Sequence, residues 1–247
     1  MPTTTLGIIG AGAVGATVAR RAVDAGLNVI LSNSRAPETL ADLVAQLGSR
    51  ARAATPAEAA HAADLVLAAL PLTAHEQLPR AALVGKTVID PMNYYVPNPE
   101  SSIPELDSNE LTSSELVQRH LAGARVVKAL HNIGPKQLLD LGRPAGAPDR
   151  TALPISGDDQ TAKNDVAELL NVLGFDAVDL GTLAESWCSE PNTPLYVIPY
   201  VGQLPSDLPT IQDLVAWVQN APGVPVPAAH VKDLAAAAIR GRAGFRM

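Results

Sequence analysis

Three glycines in the run "IIGAGAVG", Gly10, Gly12 and Gly15, constrain this chain more than any other feature. They follow a short apolar run, "TLGII", and open an Ala-rich helical pattern that leads into a second apolar run, "NVILSNS". In the G-x-G-x-x-G spacing the first glycine permits a tight turn and the second lets a pyrophosphate approach the backbone. The third lets the helix pack closely on the strand. The helix that opens over Ala13 and Val14 offers unpaired N–H groups and the positive end of its dipole to phosphate oxygens. Such glycines alone would also serve a plain strand-to-helix turn. Their place between a strand and a helix that leads to a second strand at the expected distance points instead to a dinucleotide site.

The rhythm continues along the chain. Helices are expected from about Val14 to Asp24 and from about Pro37 to Leu47. A short strand follows at Ala51 to Ala54, then a helix that opens at Pro56 behind Thr55 as its cap. "DLVLAAL", ending at Pro71, "KTVIDPM" and "ARVVKALHNI" are further strands, the last two separated by a proline-bearing loop and a helix. After "GRPAGAPDR", read as an exposed connector, come "TALPISGDD", a helix from about Gln160 to Leu173, and "FDAVDLG". Alternating strands and helices predict an α/β fold, a doubly wound and mainly parallel sheet of the Rossmann type covered on both faces. The division expected is an NADP-binding domain over residues 1–181 and a small C-terminal helical appendix over 182–247. The appendix carries helices at about Thr210 to Gln219 and Ala228 to Ile239.

Composition closes off other classes. With 247 residues the chain can hold one large α/β domain, and a net charge of −7 with scattered basic residues argues against a nucleic-acid partner. Cys188 is the sole cysteine, so no intrachain disulfide or cysteine metal cluster can form; a buried structural thiol is expected there. No apolar run is long enough to span a bilayer, and a cytoplasmic protein without a membrane partner is the default expectation.

The cofactor is legible at the end of the second strand. An acid there would accept hydrogen bonds from the ribose of NAD and repel a 2'-phosphate. This chain has Asn33, Ser34 and Arg35 instead: one neutral amide, one hydroxyl donor and one guanidinium that pairs with phosphate or stacks on adenine. NADP is the expected cofactor. The plainer reading leaves Arg35 as a solvated charge that begins a loop.

Taken in order, "GAGAVG", "SNSR", "VVKALHNI" and "PISGDD" resemble the coenzyme F420-dependent NADP oxidoreductases, which pass a hydride between NADPH and an 8-hydroxy-5-deazaflavin. The resemblance covers roughly residues 5 to 186. It implies that Asn33, Ser34 and Arg35 hold the 2'-phosphate and that Leu70, Pro71 and Leu72 lie near the nicotinamide. It also turns His131 toward the acceptor. Another reading of His131 is a strand-end histidine that satisfies nearby backbone groups. The chain departs from the family in "NYYVPNPESSIPELDSNELTSS" and after Trp187, and both stretches bear on the acceptor pocket.

The mechanism expected is direct hydride transfer from NADPH to a flat deazaflavin or flavin, a small-molecule acceptor, with His131 or Asn132 as the donor that stabilises charge on the reduced ring. Tyr94 and Tyr95 are candidates for pocket wall. No Tyr-x-x-x-Lys pair is present, since Asn98 and Pro99 stand four residues after the two tyrosines. Reduction of a small carbonyl or imine, and a non-catalytic NADPH sensor, remain as alternatives. A homodimer is expected, because the two C-terminal helices are too short to bury a core alone.

Overall fold

The computed structural model describes residues 4–205 and 210–246. In chain order the first half contains β1 (Thr5–Ile9), α1 (Ala13–Asp24), β2 (Asn28–Ser32), α2 (Ala41–Leu47), β3 (Ala51–Ala53), α3 (Pro56–Ala62), β4 (Leu65–Ala68) and β5 (Thr87–Asp90). A two-residue strand β6 (Tyr95–Val96), α4 (Pro104–Asp107), α5 (Ser113–His120), β7 (Arg125–Lys128) and α6 (Pro135–Asp140) follow. The chain continues through β8 (Ala152–Gly157), α7 (Gln160–Val172), β9 (Asp176–Asp179), α8 (Ile211–Asn220), α9 (Ala228–Ala236) and β10 (Phe245–Arg246).

Eight strands form one sheet in the order β3-β2-β1-β4-β5-β7-β8-β9. Neighbours are parallel except β7 and β8, which pair antiparallel through Val127 with Gly157 and Lys128 with Ser156. The doubly wound, mainly parallel sheet expected from the β-α rhythm is therefore present. Its central strands β1, β2, β4 and β5 are buried almost throughout because both faces are covered, and side chains alternate between the two cores. Leu65 and Leu67 of β4, Ile89 of β5 and Val127 of β7 pack on one face. Val66 and Ala68, Val88 and Val126 pack on the other. Helix α1 lies on the first face through Gly15, Val18, Ala19 and Ala22, the spacing of one helical stripe.

Expected helix bounds hold to within a residue at all but two places, and the strands occupy only part of their apolar runs, β7 ending at Lys128 within "ARVVKALHNI". The segment Pro37–Leu47 is a 3-10 turn over Pro37–Leu40 that hands over to α2, since proline fixes the first turn. Helix α9 stops at Ala236 rather than Ile239, whose side chain is 87% exposed and gains nothing by continuing the buried stripe. "GRPAGAPDR" is exposed except at its ends. Arg150 is buried, bonded to the Phe175 and Asn171 carbonyl oxygens and paired with Asp176 at 2.9 Å, so it ties the connector to α7 and β9.

The stretch after residue 181 packs against the sheet domain. Tyr200 is fully buried and Val226 and Val231 join the first core. The Val226 carbonyl accepts from Ala152 N–H at 2.8 Å. Strand β10 runs parallel to β6, with Phe245 opposite Tyr95. No helix among the described residues is long and apolar enough to cross a membrane.

Candidate active site

The glycine turn leaves β1 at the point where the sheet order reverses, with β2 on one side and β4 on the other. Gly10 has φ +105°, and a side chain there would meet the Ala69 carbonyl at 2.0 Å. A side chain at Gly15 would meet the Gly10 carbonyl at 2.0 Å, while a Cβ on Gly12 has nothing within 4 Å. The first and third glycines are thus demanded by the chain itself, and the second opens a space beside the backbone. Gly12 also caps α1 without any side-chain bond, so the first N–H groups over Ala13 and Val14 are left for an outside acceptor. These residues fit a dinucleotide pyrophosphate.

At the end of β2, Asn33 Oδ1 accepts from Arg35 N–H at 2.8 Å and its amide donates to Thr39 Oγ1 at 3.0 Å. Asn33 therefore shapes the loop. Ser34 and Arg35 are exposed, and neither side chain has a hydrogen bond or ion pair among the described residues. After β4, Leu70 is half-buried and Pro71 exposed. The Leu72 side chain is buried in the second core, so only its neighbours face outward.

Beside the glycine turn lies an apolar cavity of about 410 Å³, in scale with the smaller pockets of ligand-binding proteins. Val14 of the glycine turn lines it, together with Leu130, His131 and Ile133 after β7. The cofactor turn and the cavity therefore share a wall. Leu130 adopts φ +61°, an uncommon conformation for a branched residue, and it turns the chain so that His131 follows.

His131 is buried, with Nε2 at 2.8 Å from Ser189 Oγ and 3.1 Å from the Ser189 carbonyl oxygen. The Ser189 hydroxyl donates to the Ser186 carbonyl. These bonds assign the proton to Nε2, which leaves Nδ1 as an acceptor with no partner in the protein. Burial first, and the nearby Lys128 charge second, hold the imidazole well below its ordinary pKa. Its ring is thus neutral, and its one donor is spent on Ser189.

Asn132, the other expected donor, is fully buried. Its amide donates to the Tyr200 hydroxyl at 3.1 Å and the Leu195 carbonyl at 3.3 Å. It stands behind the cavity wall and fixes the C-terminal stretch. Beneath His131, Lys128 is buried between Asp90 at 3.9 Å and Glu190 at 3.7 Å, and donates to Ser113 Oγ and the Met92 carbonyl. Buried charge of this kind stands only when paired and hydrogen-bonded, as here.

Tyr95 lines the cavity. Tyr94 does not: its ring is buried, its hydroxyl donates to Asp107 and accepts from Ile103 N–H. The remaining wall was not legible in sequence. It comes from Thr193, Tyr196, Val197, Leu214 and Val218 after residue 190, and from Phe245. The apolar i, i+4 pair Leu214 and Val218 was a signal, but a face of that kind ordinarily means packing. Val197 has φ +59° and ψ −54°, and Ile198 N–H bonds back to the Tyr196 carbonyl across it. That is a γ-turn, strained for a β-branched residue, and Val197 N–H is anchored on the Asn132 carbonyl at 3.0 Å. Cys188 is buried and its thiol is pushed up to about 11, chiefly by burial, which suits an inert structural cysteine.

Residues 5–94 match the family model of the coenzyme F420-dependent NADP oxidoreductases. The crystal structure of hypothetical protein SMa0349 from Sinorhizobium meliloti is 33% identical, with TM-score 0.69, and the match covers 79% of this chain and 94% of that one. A candidate F420-dependent NADP-reductase from Arthrobacter sp. FB24 is 26% identical with TM-score 0.61, over 74% of this chain and 87% of that one. The Escherichia coli K12 protein YjhV is 42% identical over 60 residues, which span 24% of this chain and 44% of YjhV. Family, fold and glycine turn agree on an NADP(H)-binding oxidoreductase, and the chain belongs to the coenzyme F420-dependent NADP oxidoreductase family.

Proposed function

We propose that this protein transfers hydride between NADPH and a flat, conjugated acceptor, a deazaflavin such as coenzyme F420 or a free flavin. The observation that carries the reading is the 410 Å³ apolar cavity that shares Val14 with the cofactor turn. A planar ring lying there would be adjacent to the nicotinamide end of a dinucleotide seated on the turn. The nicotinamide supplies the hydride chemistry when bound. The protein's own residues orient and dry the site: Gly12 and the first N–H groups of α1 seat the pyrophosphate, and Ser34 and Arg35 meet the 2'-phosphate. Leu130, Ile133 and Leu214 exclude water, which strengthens every polar contact inside. His131 presents its unpartnered Nδ1 as an acceptor for a ring N–H or amide of the ligand.

A second reading, reduction of a small carbonyl or imine, is favoured by one observation: Tyr95 and Tyr196 bring two hydroxyls to the same cavity. NADPH oxidation followed by absorbance against a deazaflavin, FMN, a ketone and a cyclic imine separates the two. Turnover with deazaflavin or flavin supports the first; turnover with only the ketone or imine replaces it by the second. A cytoplasmic homodimer is part of the same proposal.

A further inference from the structure

Tyr95 and Tyr196 are 101 residues apart, yet their hydroxyl oxygens are hydrogen-bonded to each other at the wall of the cavity. The Asn93 side chain also hydrogen-bonds Tyr95, so a pair in which Tyr95 donates to Tyr196 leaves the Tyr196 proton to face the cavity. Two devices hold the pair. Strand β10 pairs with β6 and sets the Phe245 ring edge-on to Tyr95, with centroids 6.5 Å apart and planes at 87°. The γ-turn at Val197 fixes the residue directly after Tyr196, and its N–H is anchored on Asn132, next to His131 in the chain. Strain kept at a cavity wall marks a position that the fold over-determines.

We infer that the Tyr95–Tyr196 pair is the proton donor of this site: Tyr196 protonates the acceptor heteroatom as hydride arrives, and Tyr95 returns a proton from solvent. This rests on the hydride-transfer reading. The two tyrosines differ in the way the roles require. Tyr95 is 41% exposed, with its hydroxyl turned in against Tyr196, which is the less exposed of the two. His131 does not compete for the role, because its one proton is held by Ser189.

The step balances. Hydride leaves the reduced nicotinamide for an acceptor carbon, and the acceptor's nitrogen or oxygen gains the Tyr196 proton. The Tyr196 oxygen takes the Tyr95 proton as it does so, and Tyr95 recovers one from water. NADPH, acceptor and one proton become NADP and reduced acceptor. Burial pushes both phenols up, so a standing phenolate is disfavoured and the two transfers move together.

Tyr196→Phe, Tyr95→Phe and the double variant test the assignment, with NADPH binding and far-UV circular dichroism as checks of the folded site. Acceptors are a deazaflavin, FMN, a ketone and a cyclic imine, each in H2O and D2O. Tyr196→Phe is expected to slow turnover about a hundredfold, the order for loss of a positioned acid, with NADPH affinity unchanged and the solvent isotope effect abolished. Tyr95→Phe slows it less, and the double variant is no slower than Tyr196→Phe alone, since the two act as one unit. Should wild type turn over and both single variants match it, the proton-donor assignment falls while the hydride reading stands. Tyr196-dependent turnover of only the ketone or imine keeps the assignment and removes the flavin reading. A wild type inert with every acceptor overturns both.

Discussion

Arg35 stands exposed beside the Asn33 turn with no partner for its guanidinium among the described residues, which leaves it available for the 2'-phosphate in the proposed function. Arg35→Ala is expected to weaken NADPH binding by about 1.5 to 3 kcal/mol, the range for a charge-assisted hydrogen bond, and to leave NADH binding nearly unchanged. Calorimetric titration with each dinucleotide checks it; equal losses for both would remove Arg35 from the phosphate. His131 gives a pH prediction. Its folded pKa lies well below the ordinary 6.5 because of burial and the Lys128 charge. Below 6.5 the unfolded state takes up a proton that the folded state refuses, so stability is complete above that value and is lost as pH falls from it toward the folded pKa. Thermal unfolding at about pH 7.5 and about pH 5.5 should show a smaller loss for His131→Gln than for wild type. Position 35 was legible because a βαβ unit places the end of its second strand at a fixed distance from the glycines. The surroundings of His131 were not: Ser189, which accepts its hydrogen bond, is 58 residues away.

The same division holds for whole elements. Helix α3 was readable because its start is local chemistry: Thr55 Oγ1 accepts from Glu58 N–H at 3.3 Å, Glu58 returns a bond to Thr55 N–H at 2.9 Å, and Pro56 fills the first turn. Thr55→Ala should cost about 1 kcal/mol, measured by urea unfolding, with NADPH binding unaffected because α3 lies outside the cofactor turn. Core strands were readable by their unbroken apolar runs. Leu67 is fully buried in β4, and Leu67→Ala should cost about 2 to 5 kcal/mol by the same measurement. What local pattern does not show is direction: nothing in "TALPISGDD" says that β8 would run antiparallel to β7, since that depends on how the long return through α6 and the connector is routed. Strand β6 was equally hidden, because two residues pair only when β10, about 150 positions on, reaches them.

At the scale of the molecule, Val224 and Ile239 of the C-terminal stretch are 39% and 87% exposed. Exposed apolar side chains suit the proposed homodimer, for which light scattering at micromolar concentration should give twice the chain mass; the single-chain mass would reject it. The sheet also divides its labour. Strands β1 to β5 and the glycine turn, which would carry the dinucleotide in the proposed function, come from the first ninety residues or so, the part that the family model matches. The far wall of the cavity comes from Thr193 to Val218 and Phe245. For protein engineering that separation is a licence: libraries confined to Thr193, Leu214, Val218 and Phe245 should redirect the enzyme to new acceptors generation after generation, while its affinity for NADPH is inherited unchanged.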